Sequence, residues 1–179
     1  MSYAKEFSEI IETVKNNPQL LKRIVSLIAT ESIPGKVLEG EGRVDSFRVI
    51  LSDYFEGKYN VNETISEVEF RLPRQYSAYE SDNKVFPKGW AERLTRTHVS
   101  SFYNQAVLIE IIESGGSECF VAHSSSEGAD SKCSQQLAGS RHSASVLLDK
   151  LVSSYRNGNW DRDVKIPDHP HCTHTVQPV

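Results

Sequence analysis

The sequence predicts an α+β fold, with helices packed on a small antiparallel sheet and an N-terminal helical hairpin. Three observations predict it. Two short amphipathic runs before residue 33 are separated by Pro18. One long run, 87–116, keeps its apolar residues at helical spacing and stops at Gly115-Gly116. Three short segments, 65–73, 118–124 and 172–179, carry the alternating or concentrated apolar pattern of strands.

The elements follow in chain order. Residues 3–16 place Phe7, Ile10, Ile11 and Val14 on one helical stripe. A second helix in "PQLLKRIVSLIATES" lines up Leu20, Leu21, Ile24, Val25 and Ile28, with Pro18 suited to its first turn. "IPGK" breaks it, so residues 1–36 are expected to form the helical hairpin and 37–179 the α+β domain. "RVDSFRVILSDYFEG" reads as a helix stopped by Gly57. "ISEVEFRLP" alternates, Val68, Phe70 and Leu72 against Glu67, Glu69 and Arg71, and reads as a half-buried strand closed by Pro73. "RQYSAYESDNKVFPKG" is a polar loop. In the long helix Leu94, His98, Phe102, Ala106 and Ile109 share a stripe, on which His98 is expected to be a satisfied core histidine. "ECFVAHS" is a short strand, "SSSEGADSK" a turn, and "CSQQLAG" a short helix or loop stopped by Gly139. A helix over 143–156 is capped by Ser143 and ended at Gly158. "CTHTVQPV" alternates again, which puts Cys172, His174 and Val176 on one face of a final strand.

Composition narrows the function. A chain of 179 residues with 38% hydrophobic and 25% charged residues has the apolar content of one packed domain, not of a disordered segment. A net charge of −4 argues against coating nucleic acid, although a local basic patch is compatible with it. Three cysteines cannot all pair, which favours a reducing compartment and leaves thiols free for metal. The N-terminus carries acids early and does not read as a signal peptide, and no window approaches the ~18 apolar residues of a membrane span. The expectation is a soluble protein, cytosolic at synthesis.

The chemistry concentrates in "IPDHPHCTHTVQPV", residues 166–179, which holds three of the six histidines and one cysteine. His169 and Cys172 stand three apart around Pro170, a spacing at which two donors can bite one Zn2+. Cys133 and His142 are the candidate partners upstream, and His174, on the face of Cys172, is a substitute. Such a site would pin the C-terminal tail to the loop after the 118–124 strand. The plainer alternative is an exposed histidine-rich tail in which Cys172 is a small apolar residue. "HSS" at 123–125 and "HCT" at 171–173 also match the H-x-[ST] pairs whose imidazoles serve as general acid and base in two-histidine phosphoesterases. There, an apolar residue is wanted after the Ser or Thr, and Ser126 and His174 follow instead. Phosphate-loop, dinucleotide and nucleophile-elbow motifs do not occur.

Three pieces of the second half, in order, resemble the C-terminal module of the phage Mu F-like minor head proteins, the head-morphogenesis family. "WAERLTRTHVSSFYNQAVL" resembles that family's "AER(I/L)xRTExxxxYNxAxL" helix, with Arg96, Thr97, Tyr103, Asn104 and Ala106 in register. "ECFVAHSSSEGADSKCSQQLAG" is similar to its strand, cysteine-containing turn and "L-x-G" stop at Leu137 and Gly139. The tail is similar to the closing "PPxHPxCRCxxxP" at Pro167, His169, Pro170, Cys172 and Pro178. Cys133 stands alone where the family often has CxxC, Thr173-His174 replaces Arg-Cys, and the 143–156 helix intervenes before the tail. The resemblance spans 87–179 and implies a structural virion component, not an enzyme, associated with the portal or major capsid protein during head assembly or genome delivery. Its place would be the virion, and the host cytoplasm during assembly. DNA contact is not indicated by charge, and no membrane is implied. Two rival readings from other classes are a small phosphoesterase or metal-dependent nuclease using His123, His171 and Thr173, and a metal-free host-directed binding protein.

Overall fold

The computed structural model describes residues 2–157 and 162–179. Seven α-helices pack with a small three-stranded antiparallel sheet among these residues, as the α+β expectation requires. A single 3-10 turn, Phe7–Glu9, leads into α1 (Ile10–Lys15). The Asn17 side chain accepts from Leu20 N and Pro18 opens α2 (Pro18–Thr30), so the cap and the proline together start the helix. α1 and α2 send Ile10, Val14, Leu20, Ile24 and Ile28 into the same apolar core that receives Phe47, Ile50 and Leu51 from α3 (Arg43–Phe55).

The predicted strand over 65–73 is a helix, α4 (Val61–Arg71). Asn60 and Glu63 form a reciprocal capping box at its start, which satisfies two backbone donors that a strand would have left for a neighbour. Thr64, Val68 and Leu72, at i, i+4 and i+8, are the buried set, while Phe70 is 80% exposed. Val68 and Leu72 fit both periods, and the helix wins because α3 and α5 offer a helical stripe and no strand edge.

The centre of the molecule is α5 (Trp90–Glu113), against which α2, α4, α7 (Ala144–Asn157) and two strands pack. From His98 to Leu108 every residue is buried, so the amphipathic stripe expected from sequence widens to the full circumference over that stretch. Two neighbouring side chains of α5 hold the chain ends. The Tyr103 hydroxyl accepts from Ala4 N at 2.8 Å, and Asn104 Oδ1 accepts from Val176 N at 2.8 Å. Asn104 Nδ2 donates back to Ser100 O, which orients the amide.

The sheet has the order β2-β1-β3, with β1 (Glu118–Val121) between β2 (Ser140–Ser143) and β3 (Val176–Pro178). Phe120 faces Arg141 on one side and Gln177 on the other. β1 stops at Val121, three residues short of the expected strand, because Gly139 N takes the Val121 carbonyl and Gly139, at φ 75°, turns the chain. The last strand likewise begins at Val176, not Cys172; upstream of it only His174 bridges, and its partner is Glu6 of the N-terminal segment. The end expected for α7 at Gly158 lies outside the described residues.

Candidate metal centre

Beyond β1 the chain enters a polar loop, in which Ser131 caps α6 (Lys132–Gln136) by accepting from Ser134 N. That short helix turns Cys133 fully inward. In the tail, Cys172 N donates to His169 O at 3.0 Å, so the His-Pro-His-Cys stretch closes one tight turn and brings Cys172 back beside Cys133. The extended residues that follow point His174 at the same spot.

One donor atom each from Glu127, Cys133, Cys172 and His174 converges there, all within 4.8 Å of one another. The two sulfurs are 3.8 Å apart, and Cys172 Sγ lies 3.8 Å from His174 Nδ1. Glu127 Oε2 is 2.9 Å from His174 Nδ1, and Glu127 Oε1 is 3.0 Å from Cys133 Sγ. His169 completes the group from the side, its Nε2 at 2.7 Å from Glu127 Oε1 and 3.6 Å from Cys133 Sγ. The far nitrogen of His174 reaches Ser134 Oγ at 3.3 Å, the outer contact that fixes which ring nitrogen faces inward. Side-chain exposure is 5% at Glu127 and 1% at His174. The cysteines are buried too.

The electrostatics hold two of the donors, Glu127 and Cys133, toward the deprotonated form a cation takes, while Cys172 and the histidines would release protons to it. Burial pushes the Glu127 carboxyl up, but hydrogen bonds from Cys133, Thr173 N, Ser131 and His169 outweigh it and hold the pKa at about 2. The Cys172 thiol donates toward Cys133, which draws Cys133 below the usual thiol range and drives Cys172 above it. Burial alone would lower both histidines; Glu127 and Cys133 raise them instead. Two sulfurs, a carboxylate and an imidazole packed this tightly out of water form a cluster that could hold a metal ion. A bound cation would offset the cost of burying their charge.

Of the five residues predicted as ligands, the structure brings together Cys133, His169, Cys172 and His174. His142 is a correction: it sits on β2, where its Nε2 is taken by Leu137 O at 2.8 Å and Ser140 Oγ at 2.9 Å. The strand aims its side chain away from the cluster, into a cavity of about 550 Å3 shared with Lys132, Lys150 and Asp168. Glu127 is the residue that sequence reasoning missed. A lone acid in "SSSEGADSK" looks like a solvated turn, and carboxylate ligands keep no fixed spacing from a cysteine. His123 and His171 are both exposed. Thr173 is committed to Glu127 Oε2 through its N–H at 2.7 Å and its hydroxyl at 3.1 Å.

Comparisons with family models, curated proteins and solved structures returned no match for this chain.

Proposed function

We propose that this chain is a minor head or head-morphogenesis component of a tailed phage or prophage, and that a structural zinc ion fastens its C-terminal module. The observation that carries the reading is the closed, buried Glu127/Cys133/Cys172/His174 cluster. It draws its donors from the same cysteine turn and HPxC tail that resemble the head-protein module. Zn–S bonds of about 2.3 Å at the tetrahedral angle set two sulfurs about 3.8 Å apart, and Cys133 and Cys172 stand at 3.8 Å. Thiolate and imidazole donors suit zinc over magnesium or calcium. A catalytic zinc keeps one position open to water and substrate; here the donors are buried, and none of them lines the adjoining cavity. The metal's role in this reading is to join the 122–137 loop to the tail, while α5 holds both chain ends through Tyr103 and Asn104.

Purified chain should carry about one zinc, measured by elemental analysis. Cys172→Ser should lose the metal and about 3 kcal/mol or more of stability, because a structural site contributes folding energy directly. Metal-free wild type, with Cys172→Ser melting unchanged, would sink the fastening. The virion role predicts the protein in purified particles. A mass-spectrometric survey of the particle that lacks it would overturn that role.

A further inference from the structure

The carboxylate of Glu6 lies far from the cluster in sequence and is not a metal ligand, yet it is the end point of a hydrogen-bond chain that begins there. Its Oε2 accepts from Ser124 Oγ at 3.0 Å, Ser125 N at 3.2 Å, Ser125 Oγ at 3.1 Å and Ser126 Oγ at 3.3 Å. Ser8 Oγ occupies the other oxygen at 3.1 Å. Three consecutive serines thus form a receptor for one carboxylate. Ser124 is in turn 2.7 Å from Thr173 Oγ1, and Thr173 brings both its N–H and its hydroxyl within reach of Glu127. The contact runs through when the Thr173 hydroxyl donates to Ser124 and Ser124 donates to Glu6, the Thr173 N–H remaining on Glu127.

The backbone repeats the connection. Phe7 N donates to Thr173 O at 2.8 Å, between Cys172 and His174, and Glu6 bridges His174 as an antiparallel partner. Thr175 Oγ1 and Gln177 Nε2 donate to Ala4 O at 2.6 and 3.2 Å. The N-terminal segment therefore lies alongside the residues that carry two of the donors.

We infer that residues 4–8 form a clasp on the metal centre, with Glu6 as the positioning residue that holds the 124–127 loop and the 172–174 ligand strand in register for the ion. The inference rests on the metal-centre reading above. By linkage, a clasp that tightens metal binding is itself tightened by the metal to the same degree. Outer hydrogen-bonding partners of metal ligands typically change affinity by about 10–100-fold. Glu6 acts through two intervening residues, so its effect should fall near the lower end of that range.

The test uses the full chain. Zinc affinity is measured by competition with a chromophoric chelator for wild type, Glu6→Gln, and Glu12→Gln as a control. Glu12 is an exposed acid of α1 whose contacts are with Asn16. Amide exchange at residues 4–9 is followed with zinc bound and after chelation. Glu6→Gln should weaken zinc about tenfold and leave stoichiometry at one, Glu12→Gln should not move it, and the 4–9 amides should exchange at least tenfold faster once zinc is removed. If chelation also opens α5, the affinity series alone decides. Glu6→Gln binding zinc as tightly as wild type overturns the clasp while leaving the metal centre standing. A wild type that binds no zinc sinks the metal-centre reading and the clasp with it.

Discussion

At the residue scale, the chemistry of this protein is set by where polar groups are denied water. His98 lies on the central helix, 3% exposed, edge-on to Phe47 with ring centroids 5.2 Å apart, its Nδ1 hydrogen-bonded to the Tyr155 hydroxyl at 3.2 Å. Burial pushes its pKa down to about 3, so the folded chain keeps it neutral where the unfolded chain protonates it. The unfolded state then binds more protons below the ordinary histidine value of 6.5. Stability should fall by about 1.4 kcal/mol per pH unit from there down to about pH 3, where the folded form begins to protonate. Urea titrations of wild type and His98→Gln between pH 7 and 4 check this. The variant should lose the histidine's share of the slope, and parallel profiles would refute it. The histidine reads correctly from its place on an apolar stripe. The role of Glu127 does not, because nothing in a polar turn distinguishes an acid that faces solvent from one that faces two cysteines.

At the scale of elements, α4 shows how two periods compete for one segment. Alternation over 65–73 points to a strand with Val68, Phe70 and Leu72 inside, whereas the buried set is Thr64, Val68 and Leu72. The decisive signal, Asn60 followed by Glu63, is present in the sequence as a capping-box pair, just upstream of the alternating run. The outcome is measurable. Val68→Ala should cost about 1–3 kcal/mol, while Phe70→Ser should stay within about 0.5 kcal/mol of wild type. The reverse order would restore the strand. α3 depends on a different device: Arg43 is buried and donates to Val37 O, Pro73 O and Leu72 O, which ties the start of α3 to the end of α4 without a carboxylate. Arginine's five fixed donors make this geometry specific to it.

For the whole molecule, both chain ends converge on one core. Ala4 and Val176 belong to the same buried apolar cluster, and α5 bonds each end through Tyr103 and Asn104. A metal bound to the Glu127 cluster would stabilise the folded chain by mass action, so the melting temperature should climb with free zinc and fall again on adding a chelator. A melting point indifferent to zinc over a hundredfold concentration range would remove the metal from the stability of the fold. The cluster draws its donors from the loop after β1 and from the tail, and α5 bonds that tail through Asn104.

The sequence by itself determined the helices of strong period, the proline that opens α2 and the serine that caps α7, the α+β class, and four of the five candidate residues that the structure brings together. Those features are local: a proline, a serine or an apolar stripe acts within a few residues of itself. Only the tertiary structure decided that α4 is a helix, that His142 turns to its own loop, and that Glu127 joins the cluster. It also decided that Glu6, from the other end of the chain, closes the network. These outcomes depend on which surfaces meet across long loops, where a hydrogen bond or a buried charge has no fixed sequence separation to be read from.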